Sequence, residues 1–298
     1  MTATTGTTGA TSAGTLRALL PRTATAVTRY GEAPVRLLVE IGQMIWFALS
    51  TVGQIPFAVR RYPKELLRMV AQMGMGTGAM AVVGGTAAIV GFITLSAGSL
   101  VAIQGYATLG NIGVEAFTGF LAALVNVRFV APVAAGQALA ATVGAGATAE
   151  LGAMRISEEI DALEVMSIRS VAFLASTRVV AGLVVIIPLY ALAITLAFVS
   201  QQVTTVFFYG QSAGTYNHYF HTFLRLNDVG WSFAEVILVA VVVMTTHCYY
   251  GYNATGGPVG VGEAVGRSMR LSLITIVVVV VLTAMAVYGK SPNFNLTV

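Results

Sequence analysis

Only 9% of the 298 residues are charged, whereas a soluble domain has about 25%. Hydrophobic residues make up 56% of the chain and the mean hydropathy is +0.82, which indicates an integral membrane protein and excludes an ordinary soluble domain. The net charge of +4 indicates basic residues at membrane edges, not a nucleic-acid surface. Because Cys248 is the single cysteine, a disulfide within the chain is excluded.

The chain begins with a stretch of low complexity. After Met1, residues 2–15 are all Thr, Gly, Ala or Ser, with no charge and no aromatic ring. This composition lacks the basic start and apolar core of a signal peptide. Residues 1–31 are therefore predicted to be a disordered tail that stays in the cytoplasm.

Residues 32–77 are predicted to form amphipathic helices that lie along the cytoplasmic face of a membrane. Within 33–62, polar side chains recur at helical spacing on one stripe. Basic residues flank both ends of the uncharged run 41–59, whereas a spanning helix should show a charge asymmetry. The alternative is that the run 41–59 is a sixth membrane span.

Five apolar stretches in the membrane domain, residues 78–290, are long enough to predict membrane spans. Half of all lysines and arginines precede the first stretch, so its start faces the cytoplasm and residues 291–298 form an extracytoplasmic tail. The second stretch is too long for a straight crossing, and Arg128 and Pro132 interrupt it, which predicts a bend. The predicted fold is an all-α membrane protein with spans at about 80–104, 116–149, 171–199, 232–250 and 271–288.

The second span contains a segment of small residues. Eleven of the seventeen residues in 133–149 are Gly or Ala, and such a helix allows close approach of another helix. Gly136, Gly144 and Gly146 are therefore candidates for a seam between two subunits, an assignment that the family resemblance described below implies. Ordinary packing within the chain is the alternative.

Residues 150–168 form an acidic segment between the second and third spans. Five of the 12 acidic residues of the chain fall within these 19 positions. A short helix is predicted over 157–168, with Ser157 as its N-cap and with Arg155 reaching Glu158 and Glu159. So short a helix is marginal alone, which predicts a docking partner; a solvated connecting loop is the alternative. The carboxylates of this segment are Glu150, Glu158, Glu159, Asp161 and Glu164.

Leu163 and Met166 are predicted to anchor this helix in an apolar groove of its partner, with the surrounding charges at the rim. Arg128, Glu150 and Arg155 are the candidates for polar pairs. His218 and His221 have H-x-x-H spacing, but no third ligand is near and no metal site is expected. The sequence also lacks a converging nucleophile, base and orienting group, so no enzyme is expected. The spans hold almost no carboxylates, which disfavours an ion-coupled carrier.

The segment 148–166, TAELGAMRISEEIDALEVM, resembles the signature of the MlaE/YrbE permeases, the membrane subunits of lipid-transporting ABC systems. Three further patches fit in order: 103–106 (IQGY), Arg128 with Pro132, and 250–253 (YGYN). The resemblance covers roughly residues 65–290 and makes 78–290 an MlaE-type permease domain in the inner membrane. It implies that 157–168 is the coupling helix that rests on a cytoplasmic ABC ATPase dimer. ATP and Mg would bind that partner, with no cofactor on this chain.

Two departures from the family pattern refine the resemblance. Phe129 replaces an acidic residue that follows the arginine in many members, and Thr142 aligns with an arginine of a related bacterial permease. The chain is most similar to the B-type YrbE subunit of actinobacterial Mce lipid-import systems. That similarity implies a pseudo-symmetric heterodimer with an unlike YrbE permease, Mce proteins on the extracytoplasmic side, and import of fatty acids, sterols or other lipids. The alternatives are a non-transporting scaffold that anchors an Mce tunnel and a secondary carrier.

Overall fold

The computed structural model describes residues 38–75 and 81–288, and the predicted tails at 1–31 and 291–298 lie outside them. Within these ranges the chain is helical and contains no strand, which confirms the predicted all-α class. Of the described residues, 48–75 and 81–288 belong to one compact unit, and 38–47 are grouped separately. The described helices are α1 (Leu38–Gly53), α2 (Ile55–Arg61), α3 (Pro63–Met75), α4 (Ala81–Gly110), α5 (Glu115–Ile156), α6 (Glu159–Val165), α7 (Val171–Phe208), α8 (Ala213–Phe223), α9 (Leu226–Tyr252) and α10 (Gly257–Tyr288).

Prolines begin two of the short N-terminal helices. Pro56 lies in the first turn of α2 and Pro63 starts α3, where a missing backbone N–H costs nothing because it would have no helical partner. Helix α3 buries Met69 and exposes Arg68, so the predicted amphipathic element is confirmed. Helices α1 and α2 meet at a 42° bend and are long and apolar enough to cross a membrane only as a pair, so a sixth span stays an alternative.

Five helices, α4, α5, α7, α9 and α10, are each long and apolar enough to cross a membrane, which confirms the five predicted spans. Helix α10 begins at Gly257, 14 residues before the predicted fifth span at 271–288. An ion pair between Glu263 and Arg267, one turn apart, supports these polar first turns. Hydropathy detects only the apolar part of a helix, so the predicted spans end before the helices do.

Helix α5 does not leave the helical path at Pro132, where a bend is predicted. The preceding turn, Asn126–Val130, is π-helical, and the Ala131 N–H bonds to the Asn126 carbonyl oxygen five residues earlier. At the same five-residue spacing, the next carbonyl oxygen, that of Val127, would accept from residue 132. Because Pro132 has no N–H, this oxygen is left without a backbone donor. The Ser232 hydroxyl on α9 donates to that oxygen at 2.5 Å, so a neighbouring helix compensates for the proline.

Residues 200–230, between the predicted third and fourth spans, are largely helical. Helix α7 continues to Phe208, and α8 packs against α5 through aromatic pairs. The rings of Phe117 and Tyr219 lie 4.5 Å apart, and those of Phe120 and Phe223 lie 4.7 Å apart. A Cβ on Gly119 would lie 2.4 Å from the Tyr216 carbonyl oxygen, so this glycine allows the two backbones to approach. Tertiary aromatic contacts therefore order a segment that composition alone assigns to a loop.

Candidate functional site

The predicted acidic helix forms, but it is shorter than the predicted range 157–168. Helix α6 covers Glu159–Val165. The prediction that Ser157 is its N-cap is wrong: Ser157 ends α5, and its hydroxyl donates to the Ala153 carbonyl oxygen at 3.0 Å. Glu158 takes the N-cap position without a side-chain cap bond. The reason is that the turn between α5 and α6 is so tight that no residue is left over for a conventional cap.

Two non-glycine residues with left-handed backbone bracket α6. Glu158 has φ 61° and Ser167 has φ 60°, and no other non-glycine residue in the described ranges has a positive φ. Such conformations cost about 1–3 kcal/mol and cluster at functional sites where the surrounding structure enforces them. Both ends of α6 are therefore held in directions that a relaxed loop would not adopt.

Side chains on α6 attach it to the ends of three long helices. Ile160 is fully buried and anchors α6 to the rest of the chain. Arg155, at the end of α5, pairs with Asp161 at 2.6 Å and not with Glu158 or Glu159, so the predicted partners are wrong. The left-handed turn at Glu158 breaks the helical register on which the predicted i,i+3 and i,i+4 contacts depended.

Glu164 is the third attachment of α6. Its Oε1 accepts hydrogen bonds from the Ser170 hydroxyl at 2.7 Å and the Tyr252 hydroxyl at 3.0 Å. These bonds, that from Ser170 first, lower the pKa of Glu164 from its ordinary value of 4.5. Because folding lowers this pKa, the ionised Glu164 side chain stabilises the folded state above pH 4.5. This stabilisation is lost as the pH falls through the pKa that Glu164 has in the folded state. Glu164 thus ties α6 to the start of α7 and the end of α9.

The outward face of α6 is apolar where the helix ends. Val165 is 86% exposed and Met166 is 61% exposed, whereas Leu163 is half-buried against the chain itself. Of the two predicted anchors, Met166 is thus the more accessible, and Val165 was missed. The sequence did not indicate that Val165 would be exposed, because the tertiary contacts that anchor α6 decide which of its faces points outward. Exposed large apolar side chains in a tethered segment are typical of a docking surface.

Each predicted polar-pair candidate finds a partner on a different element. Arg128 contacts Asp228 at 3.2 Å, with side-chain exposures of 14% and 12%. Glu150 contacts Arg178 at 3.2 Å, and Arg178 is 3% exposed. The Gln72 amide on α3 donates to the other oxygen of Glu150 at 2.9 Å. Neither Asp228 nor Arg178 was paired with these residues from sequence, because each lies on a separate helix.

The three glycines of the predicted seam have different surroundings. A Cβ on Gly136 would lie 2.8 Å from Val239, and one on Gly144 would lie 2.6 Å from the His247 ring. Both contacts are within the chain, which is the alternative that the sequence left open for these two positions. Gly146 has no atom within 4 Å of a Cβ position and is exposed. It alone retains room for a neighbouring helix.

His247 occupies the space beside Gly144 and is fully buried. Its Nδ1 lies 2.8 Å from the Thr148 hydroxyl, which also lies 3.3 Å from the Ser268 hydroxyl. Polar side chains of α5, α9 and α10 thus meet at one point within the bundle. Such interhelical hydrogen bonds hold membrane helices together where apolar surfaces gain nothing by leaving lipid.

Two further features bear on ligands. A groove of about 370 Å³ opens between α4 and the end of α7, and its walls combine hydroxyl groups with apolar side chains: Ser99, Ile103, Thr204, Phe208 and Tyr209. Within the described ranges, no three His, Cys, Asp or Glu side chains converge as a metal site. Glu235 is 4% exposed and lies in the third turn of α9, which begins at Leu226.

Comparison with known proteins adds an independent line of evidence. A family model described as Permease MlaE matches residues 75–286. A probable ABC transporter permease of Rickettsia bellii is 25% identical over 248 residues, 83% of this chain and 92% of the relative. The intermembrane phospholipid transport system permease MlaE of Haemophilus influenzae is 26% identical, covering 63% of this chain and 72% of the relative.

A plant relative extends the same similarity. TRIGALACTOSYLDIACYLGLYCEROL 1, a chloroplastic protein of Arabidopsis thaliana, is 27% identical over 166 residues, 56% of this chain and 47% of the relative. The matched region contains four of the five spans in full and all but the last two residues of α10, and it includes the whole of α6. On this match, and on the five-span helical fold, the chain belongs to the MlaE permease family.

Proposed function

We propose that this chain is the membrane subunit of an ATP-driven lipid transporter and that α6 is its contact with the ATPase. The observation that carries the proposal is the arrangement of α6: strained at both ends, tied to α5, α7 and α9, and apolar at its exposed Val165 and Met166. A segment held in this way can transmit a push on its outer face to three long helices. No nucleotide chemistry is needed within the chain itself.

Lipid is the proposed ligand class. The bundle is apolar, and the groove beside Ser99 and Thr204 offers hydroxyl groups next to aromatic and aliphatic walls, which suits an amphiphile. The Haemophilus relative is named for phospholipid transport, which supports the same class. Import of fatty acids, sterols or other lipids through Mce proteins on the extracytoplasmic side is the specific form of this proposal.

We further propose that the transporter is a heterodimer of this B-type YrbE-like chain and an unlike permease. Phe129, which departs from the acidic residue of the family pattern, is 38% exposed, and the Thr142 hydroxyl donates to the Ala138 carbonyl oxygen of its own helix at 2.7 Å. Loss of polar groups from one subunit is tolerated more easily if the other subunit retains them. Gly146, exposed on α5, is the proposed point of closest approach between the two.

The function is tested by purifying the tagged chain in mild detergent and identifying the proteins and lipids that accompany it. We expect an ABC ATPase, a second permease and bound lipid, and we expect ATP-dependent lipid transfer after reconstitution. A complex that binds Mce proteins but neither binds an ATPase nor moves lipid would support the scaffold instead. Lipid movement driven by an ion gradient without ATP would support a secondary carrier.

The proposed orientation places the N-terminus in the cytoplasm and the C-terminus outside, because the basic residues cluster before α4. After the buried Cys248 is replaced by Ala, single cysteines at Thr15 and Pro63 are expected to react only with reagents supplied from the cytoplasmic side. Reaction of these two positions from opposite sides would make α1 and α2 a sixth span. It would also invert the orientation of every later loop.

A further inference from the structure

A polar contact where α5 ends and α7 begins connects the amphipathic helices to the base of the coupling segment, α6. Glu150 lies in the last two turns of α5 and Arg178 lies two turns into α7, so the two helices that flank α6 are joined by this ion pair at 3.2 Å. Gln72 on α3 donates to the second oxygen of the same carboxylate at 2.9 Å. One carboxylate therefore holds three separate elements.

Arg178 gives this contact its rigidity. Its side chain is 3% exposed, and besides Glu150 it donates to the Leu174 carbonyl oxygen of its own helix at 3.0 Å. A buried guanidinium needs a carboxylate partner because an uncompensated charge in an apolar bundle is strongly unfavourable. The pairing with Arg178 fixes the position of Glu150. The Gln72 amide therefore donates to a carboxylate that is held in place.

The amphipathic helices are attached to the start of α7 at further points. The Ser176 hydroxyl donates to the Thr51 carbonyl oxygen at 2.8 Å, and the rings of Tyr62 and Phe173 lie 5.0 Å apart. The Arg169 guanidinium lies 4.8 Å from the centre of the Phe57 ring. Residues 51–62 therefore contact Arg169 and the first two turns of α7, whereas Gln72 contacts Glu150 on α5.

We propose that Gln72 is a positioning residue that, through Glu150 and Arg178, transmits movement of the coupling segment to the amphipathic helices. A force on α6 reaches α5 through Arg155 and α7 through Ser170. The Glu150–Arg178 pair makes the inner ends of these two helices move together, and Gln72 carries α3 with them. The inference rests on the proposed ATP-driven function, since that function supplies the force.

Gln72→Glu tests this link without removing the Glu150–Arg178 ion pair. The substitution places a second carboxylate against Glu150, where repulsion opens the contact. We expect an assembled complex that still hydrolyses ATP but transfers about fivefold less lipid per ATP, at the low end of coupling between separate sites. Gln72→Lys keeps a donor for the same Glu150 oxygen and leaves the Glu150–Arg178 pair intact, and we expect it to retain most of the wild-type ratio.

Lys64→Gln is the matched control, because it changes the net charge of α3 by the same amount at an exposed position. We expect it to leave the transfer ratio unchanged. Wild-type-like coupling in Gln72→Glu would overturn the inference, as would an equal loss of ATPase activity, transfer and thermal stability in both Gln72→Glu and Gln72→Lys. A wild-type complex that lacks an ATPase or moves no lipid would instead overturn the proposed function.

Discussion

Val165→Asp is expected to detach this chain from its ATPase while leaving its insertion into the membrane intact. Val165 is 86% exposed, so the change removes almost no contact within the chain. In the assembled complex it would place a carboxylate in a desolvated apolar contact. Loss of such a contact costs about 2 kcal/mol or more at an interface hot spot, on the order of 30-fold in affinity. Co-purification of the ATPase, normalised to the amount of inserted chain, measures the effect.

The same experiment ranks the other positions of α6. Leu163→Asp should also uncouple the complex more severely than Glu158→Ala, but part of its effect will come from lost internal packing because Leu163 is half-buried. Val259→Asp is the matched control, since Val259 is 85% exposed at the beginning of α10. If Val165→Asp and Leu163→Asp both retain the ATPase and lipid transfer, the coupling role of α6 is wrong.

Gly144→Ala is expected to destabilise the chain, whereas Gly146→Ala is not. A Cβ at position 144 would lie 2.6 Å from Cδ2 of the buried His247 ring, which has no space into which it can shift freely. Overpacking of this kind costs roughly 1–3 kcal/mol. At position 146 a Cβ meets nothing, and the change gains helix propensity. Thermal unfolding of the purified chain in detergent compares the two variants.

A double variant assigns the cost of Gly144→Ala to its cause. If the clash with His247 is responsible, the substitution should cost less in a His247→Ala background, because the two effects are then coupled. Additive effects would mean that another neighbour is responsible. Gly146→Leu tests the proposed seam separately: we expect weaker association with the second permease at unchanged stability of the chain. Unchanged association would mean that Gly146 faces lipid and not the second permease.

Much of the architecture is determined by the sequence because it depends on local properties. Hydropathy alone predicts the five spans, since the bilayer requires about 20 apolar residues for each crossing. The density of carboxylates in 150–168 likewise marks the segment as unusual in a chain with so few charges. The family signature in 148–166 is a string of residues, and it needs no three-dimensional information to be recognised.

Only the tertiary structure decided which residues meet. The partners of Arg128, Glu150 and Arg155 lie on other elements or beyond a left-handed turn, 100, 28 and 6 positions away along the chain. No periodicity within one helix encodes such distances. The course of α5 also depends on a neighbouring helix. The Ser232 hydroxyl donates to the Val127 carbonyl oxygen, which Pro132 cannot bond, and α5 remains helical where the sequence predicts a bend.

The same distinction applies to the glycines and to α6. Gly144 and Gly146 are equivalent in sequence, two positions apart in one small-residue segment, but a helix turns about 100° per residue and presents them to different neighbours. The exposed face of α6 was set by the burial of Ile160 and by the hydrogen bonds of Glu164 to Ser170 and Tyr252. Composition thus determined that this chain spans a membrane and carries an acidic segment, whereas packing determined which side chains that segment presents to a partner.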